Sequence, residues 1–284
     1  MVGFFFGVTY FSCQDMNEEI PEEDFTRLEA VFVRHRNALW IRADFSSLYT
    51  DYYLHLMDHG IRHKEPLDLM LKEQLAMLSL YLVTRPWAET TAWTANLRAP
   101  RLNLFVSGGT TQEAITGRIF TEDVREPDRN LFYSQTTAKH MREPRLSTME
   151  VESNEPLHWF EQFYLQSEQR PGRAFHIGDD AYHVVVAQPD CDVEWLMGLT
   201  VEDVARMSEV EETNLLEVRR LRFHCGCSMA KLVPMLAAWQ DRLDVLFEND
   251  DEIRVHCPRC AAVYTVERGT LEGYLHETEE RGNS

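Results

Sequence analysis

Four of the six cysteines in this 284-residue chain stand in two close pairs, Cys225-Gly226-Cys227 and Cys257-Pro258-Arg259-Cys260. That spacing constrains the C-terminal part of the fold more than any other feature. Twenty-nine residues separate the pairs, enough for a helical hairpin that returns the second pair to the first. Four thiolates then complete a tetrahedral site of the kind that zinc, a borderline-soft cation without d-electron geometry, favours at about 2.3 Å per bond. The expectation is one Zn2+ per chain in the reduced state, held by Cys225, Cys227, Cys257 and Cys260. His224 and His256 adjoin these cysteines but stand outside a shell that four sulfurs fill. Such clustering in a long chain reads as metal binding in a reducing, cytoplasmic setting rather than a secreted disulfide frame.

A module of residues 223–276 has some fifty residues, with Leu232, Leu236, Trp239, Leu243 and Leu246 as its apolar helix positions. That is too small a core to stand without a staple. Zinc binding and folding of the module are then one equilibrium worth about 10 kcal/mol or more. Thiolates are also the oxidisable form of cysteine, so peroxide or hypochlorite would attack the staple itself, and a neighbouring thiol would capture a sulfenic acid. On spacing alone, a purely structural zinc staple is the plainer reading.

Upstream, 44% hydrophobic residues suffice for a buried core in a globular chain. A formal charge of −19, from 47 acidic against 28 basic residues, repels phosphate backbones and anionic membrane surfaces. The longest uncharged stretch, residues 1–14, is too short to span a membrane, and no basic segment precedes it to make a secretory signal. Residues 1–28, acid-rich from Asp15 to Asp24, read as an N-terminal extension.

From residue 30 to 43, Val31, Val33, Leu39 and Ile41 recur at odd positions and predict a strand with one buried face, interrupted or turned at 34–37. Helices are predicted over 45–57 and 66–82, the second opening on proline, with strands over 90–97, 102–106 and 115–120. Gly108-Gly109-Thr110-Thr111 lacks a phosphate-loop lysine and reads as a hairpin turn. His55, His59 and His63, four apart, read as surface histidines at a helix end that Gly60 closes. A helix over 156–169 buries Leu157, Phe160, Phe163 and Tyr164, and residues 181–187 form a strand. Past Asp192, eight acids against one arginine occupy 192–217, and Thr200 with Asp203 caps a helix expected over 201–218 along Val204, Met207 and Val210. Strands mixed with helices, without regular alternation, give an α+β fold. The division is an N-terminal extension at 1–28, an α+β domain at 29–192, a helical linker at 193–222 and a four-cysteine zinc-binding domain at 223–284.

Residues 223–228, Phe-His-Cys-Gly-Cys-Ser, and 253–264, Ile-Arg-Val-His-Cys-Pro-Arg-Cys-Ala-Ala-Val-Tyr, resemble the two cysteine motifs of the redox-regulated 33 kDa chaperonins, which are ATP-independent heat-shock holdases. Residues 164–171, Tyr-Leu-Gln-Ser-Glu-Gln-Arg-Pro, are similar to that family's serine-glutamate-glutamine stretch, and Gln188-Pro189 falls where its first domain ends. The likeness is close over about 161–266 and rests on element order alone over 31–120. It implies a non-enzymatic stress-response chaperone whose four cysteines sense oxidants. By that resemblance, oxidation pairs Cys225 with Cys227 and Cys257 with Cys260, expels zinc, and unfolds module and linker so that apolar surface captures unfolded or unfolding clients, with homodimers in the oxidised state. The chain departs from the family in a shorter stretch from Gln188 to Cys225, in the extension, and in Arg259 and Ala261, where an aromatic residue and glycine are usual.

Two other classes are disfavoured. Nucleic-acid binding would need a basic face, but residues 221–284 hold seven Lys/Arg against eleven Asp/Glu. A zinc hydrolase would need an open coordination position, which four cysteines close. A non-switching, zinc-stapled interaction protein of the same fold is the alternative.

Overall fold

A computed structural model describes residues 24–282 apart from 123, 125 and 249. The chain runs β1 (Thr26–Val33), β2 (Ala38–Asp44), α1 (Ser46–Asp58), α2 (Glu65–Val83), β3 (Glu89–Arg98), β4 (Arg101–Gly109), β5 (Ala114–Phe120), β6 (Leu131–Ala138), β7 (Arg145–Glu150), α3 (Pro156–Gln166), β8 (Gly172–Gly178) and β9 (Ala181–Ala187). Three short helices follow, α4 (Val193–Gly198), α5 (Val201–Ala205) and α6 (Met207–Val210), then strand β10 (Thr213–Phe223). The C-terminal module holds α7 (Met229–Leu236), α8 (Leu243–Phe247), β11 (Glu252–His256), β12 (Val263–Glu267) and α9 (Arg268–Gly282). The fold is α+β.

Ten strands form one sheet in the order β7-β6-β3-β4-β5-β10-β1-β2-β9-β8. It consists of two antiparallel halves joined by a short parallel seam in which Arg222 and Phe223 of β10 pair with Ala114 and Ile115 of β5. Helix α2 runs through the centre. From Met70 onward it is buried on nearly every side, as its continuous apolar run requires, and it packs on strands of both halves. It approaches β5 most closely at Gly117, where a Cβ would lie 2.8 Å from the Phe105 carbonyl oxygen and 3.1 Å from Leu71. Helix α3 turns Trp159, Phe160, Phe163 and Tyr164 into this core.

The β1–β2 hairpin buries both of its faces. Leu28, Ala30 and Ile41 face α1 and α2 in the main core, whereas Val31, Val33, Ala38 and Trp40 face a second cluster with Phe175, Val185, Leu196, Leu199, Val204 and Met207. The expectation of one buried face is thereby corrected. The turn Arg34–Arg36 changes the phase of alternation, and the segment α4–α6 covers the second face.

That segment starts and ends at the same turn. Asp192 N donates to the Arg36 carbonyl at 3.0 Å, Arg34 N donates to the Glu212 carbonyl at 3.0 Å, and the Arg36 guanidinium pairs with Asp192 and Glu211. Residues 192–212 are a flap tied down at both ends. The capping box of Thr200 and Asp203 opens α5 as its sequence predicts. The helix expected over 201–218 is corrected, and with it the wholly helical linker over 193–222. Helix ends at Val210, and Thr213–Phe223 is the strand that joins the two half-sheets. Most of the acidic extension lies outside the described residues, but its last part does not stand apart from the core: Thr26 and Leu28 are buried in β1.

In the module, Leu232 is buried and Leu236, Leu243 and Leu246 are partly buried, whereas Trp239 is exposed. The small core there is Val233, Phe247, Val266 and Leu271.

Candidate metal centre

The first cysteine pair sits directly after the central strand, with Phe223 ending β10 and Cys225 two residues on. Gly226 between them adopts φ +65°, a left-handed conformation that only glycine takes without strain. The second pair is in the turn between β11 and β12. There Ala261 N donates to the Cys257 carbonyl at 3.0 Å and Cys257 N to the Ala262 carbonyl at 2.8 Å, so the backbone folds around the sulfurs. Closing this knuckle forces Ala261 to φ +63°.

The four Sγ atoms lie within 4.8 Å of one another, with Cys225–Cys257 at 3.7 Å and Cys227–Cys260 at 3.5 Å. Four sulfurs about 2.3 Å from a tetrahedral ion stand about 3.8 Å apart, so the donors fit such an ion. Cys257 and Cys260 are buried, and Cys225 and Cys227 half-buried. Hydrogen bonding from Cys260, with Arg259 nearby, pulls the Cys225 thiol down to about 5 despite its burial. The same bond and burial push Cys260 far up, and burial pushes Cys227 up. The quartet is a group able to bind a metal. Cys191 is half-buried beside the flap, its thiol pushed up by burial, and Cys13 lies outside the described residues.

Around the sulfurs, Tyr264 Oη donates to the Cys227 carbonyl at 3.1 Å and stands 3.2 Å from its Sγ. Lys231 donates to the Gly226 carbonyl, and Arg259 to that of Cys225 at 3.5 Å. Three further groups come from the N-terminal sheet and helices. His55 Nε2–H donates to the Cys260 carbonyl at 2.9 Å, Val263 N donates to His59 Nδ1 at 3.3 Å, and Arg118 Nη1 of β5 donates to the Cys257 carbonyl at 2.7 Å. Burial, with His55 nearby, lowers the pKa of His59 and suits it to accept that hydrogen bond. The surface histidines expected at this helix end are half-buried at His55 and His59, with hydrogen-bond partners some two hundred residues further along the chain. Their i, i+4 spacing was the available signal; Arg118 offered none.

The sequence model of the Hsp33 protein family matches residues 183–267, a stretch that contains all four cysteines. Two curated proteins named 33 kDa chaperonin, from two strains of Lactobacillus delbrueckii subsp. bulgaricus, are each 25% identical over 114 residues, 40% of this chain. The crystal structure of the Thermotoga maritima 33 kDa chaperonin, Hsp33, superposes with a TM-score of 0.66 at 11% identity, covering 90% of this chain and 99% of that one. Over residues 183–267 this chain is similar to the Hsp33 family, and its fold is similar to that of Hsp33. The aligned part spans 38% of the length of the Lactobacillus relatives. The likeness to the Thermotoga protein, by contrast, shows that the Hsp33 fold extends over the N-terminal half, where the sequence carries no tight motif. No helix among the described residues is long and apolar enough to cross a membrane.

Proposed function

We propose that this chain is a redox-regulated, ATP-independent holdase of the cytoplasm, whose four cysteines bind one zinc ion when reduced and form disulfides when oxidised. Zinc is favoured over other cations by four thiolate donors in a closed tetrahedral arrangement. When bound it supplies a staple with no open coordination position, in keeping with a chaperone rather than an enzyme.

The observation that carries the reading is the flap. Its helices have six, five and four residues, too short to persist alone. They are held by Leu196, Leu199, Val204 and Met207 against the apolar face of Val31, Val33, Trp40, Phe175 and Val185, and at the rim by ion pairs worth little each. With so little helix of its own the segment depends on this packing, and its removal uncovers a continuous apolar face of the kind that binds unfolding chains. In each cysteine pair one thiolate attacks peroxide, giving a sulfenic acid and hydroxide. The second thiolate displaces hydroxide from it to close the disulfide. A sulfenic acid is already a lost ligand, so the module begins to open as it forms; closing the disulfide completes the loss of the staple, and the flap loosens. Unfolding proteins then occupy the uncovered face, with homodimerisation of the oxidised form as the family resemblance implies. The surplus of acidic charge keeps the complexes soluble.

One observation favours a second reading. Strand β10 lies between the flap and Cys225 and pairs with β1 along its length, which favours a chain whose module opens while the flap stays closed. Light scattering of a thermally unfolding client separates the two. Peroxide-treated protein suppresses aggregation without nucleotide and the reduced protein does not; equal scattering with both would leave a stapled, non-switching relative.

A further inference from the structure

The cysteine module touches the N-terminal part of the molecule through backbone groups of the second knuckle, at the carbonyls of Cys257 and Cys260 and the amide of Val263. The three partners come from α1 (His55), from the residue that caps its C-terminal end (His59) and from β5 (Arg118). Tyr264 links this contact to the first pair, its ring 6.0 Å from that of His59 and its hydroxyl on Cys227. On the core side, the His55 ring lies 5.3 Å from the Phe223 ring at the end of β10, and the Arg118 guanidinium lies 3.9 Å over the Phe120 ring. Arg118 is the arginine among the three, and its Nε is buried without a hydrogen-bond partner.

We propose that Arg118, His55 and His59 form a latch by which the core senses the charge of the cysteine cluster, docked while the cluster is a zinc–thiolate anion and released when oxidation neutralises it. The inference rests on the reading of the quartet as a zinc–thiolate site, though not on client binding. Four thiolates around Zn2+ carry a net dianionic charge, and a half-buried guanidinium fixed beside two of them offsets it where water cannot. Oxidation by two equivalents of peroxide removes four electrons from the sulfurs, closes two disulfides and gives four hydroxides. It leaves the sulfurs uncharged as the cation departs. Arg118 then has no anion to face, and its burial beside Phe120 becomes a cost that undocking relieves. The coupling is reciprocal. A docked core holds the knuckle in its ligating shape, so the latch slows loss of the metal.

The test uses the full chain, zinc-loaded, in four forms: unsubstituted, Arg118→Lys, Arg118→Gln, and His55→Ala with His59→Ala. Two quantities are read, the rate of zinc transfer to a chromogenic chelator after peroxide and the hydrogen exchange of residues 46–58 and 257–264 before it. Loss of a charge-assisted bond predicts about tenfold faster zinc release for Arg118→Gln, whereas Arg118→Lys stays within about threefold of the unsubstituted protein. The histidine pair loses exchange protection over 46–58 and 257–264, with 89–109 unchanged as the control for folding. Zinc release and exchange like the unsubstituted protein in both Arg118→Gln and the histidine pair would overturn the latch. Equally fast release from Arg118→Lys and Arg118→Gln would overturn its charge sensing. Absence of zinc from the purified reduced protein would instead overturn the zinc reading on which the latch rests.

Discussion

Arg219 of β10 donates through Nη1 to the Leu82 carbonyl at 2.8 Å and to the Arg85 carbonyl at 2.7 Å, closing the C-terminal end of the central helix α2 from the strand that leads to the cysteines. The side chain is buried, with Glu217 as its counter-ion at 2.8 Å. The Leu82 carbonyl, in the last turn of α2, also accepts from Arg85 N at 3.1 Å, and the Arg85 carbonyl lies just past the helix, so the buried cation adds favourable charge at the helix C-terminal end. Arg219→Leu removes the donor to both carbonyls and the counter-ion of Glu217, while the Leu82 carbonyl keeps its bond from Arg85 N, and is expected to cost about 2 kcal/mol, read as a lowered midpoint in denaturant unfolding with zinc content unchanged.

Metal content tests the quartet. Cys257→Ser is expected to lower the zinc of the purified reduced protein sharply and loosen the module, because the other three sulfurs cannot close the shell. Cys191→Ser is expected to leave zinc at one per chain. Full zinc retention in Cys257→Ser would contradict the assignment.

Two sulfur approaches, Cys225 with Cys257 at 3.7 Å and Cys227 with Cys260 at 3.5 Å, join cysteines of different pairs, and all four sulfurs lie within 4.8 Å of one another. In the docked fold proximity therefore does not select the bridges within pairs. Once the module opens, short loop closure does, since partners two or three residues apart meet far more often than partners some thirty apart. Peptide mapping after mild oxidation is expected to find Cys225–Cys227 and Cys257–Cys260. Predominant cross-pair bridges would mean that oxidation outruns opening.

Ala261 carries the strain of the second knuckle at φ +63°. A left-handed alanine costs about 1 kcal/mol or more, which glycine does not incur. Ala261→Gly is expected to hold zinc more tightly by a few-fold in competition with a chelator, despite the greater chain entropy of glycine when unfolded.

What could be read from the sequence follows from where packing obeys local pattern. The continuous apolar run behind Pro66 gave α2, the β-branched run gave β9, and the spacing of the cysteines gave the quartet. Strand β10 was misread because its inward positions are Arg219, Leu221 and Phe223: an arginine stands where alternation needs an apolar residue, and Val204, Met207 and Val210 just upstream suggested continued helix. Strands β6 and β7 escaped notice because serine and threonine occupy buried positions of β6, as in the Thr91–Thr136 and Trp93–Ser134 hydrogen bonds with β3. The approach of α1 and β5 to the second knuckle depends on tertiary placement across the whole chain, which no local pattern encodes.

The central claim is that the redox state of the four cysteines controls the cover over the β1–β2 face, and hydrogen exchange on the full chain before and after peroxide tests it most directly. Residues 193–211 and 224–276 are expected to lose protection on oxidation while β3 and β4 keep theirs. Loss confined to 224–276, with 193–211 as protected as in the reduced protein, would contradict the claim and leave the cysteines as a staple for the module alone.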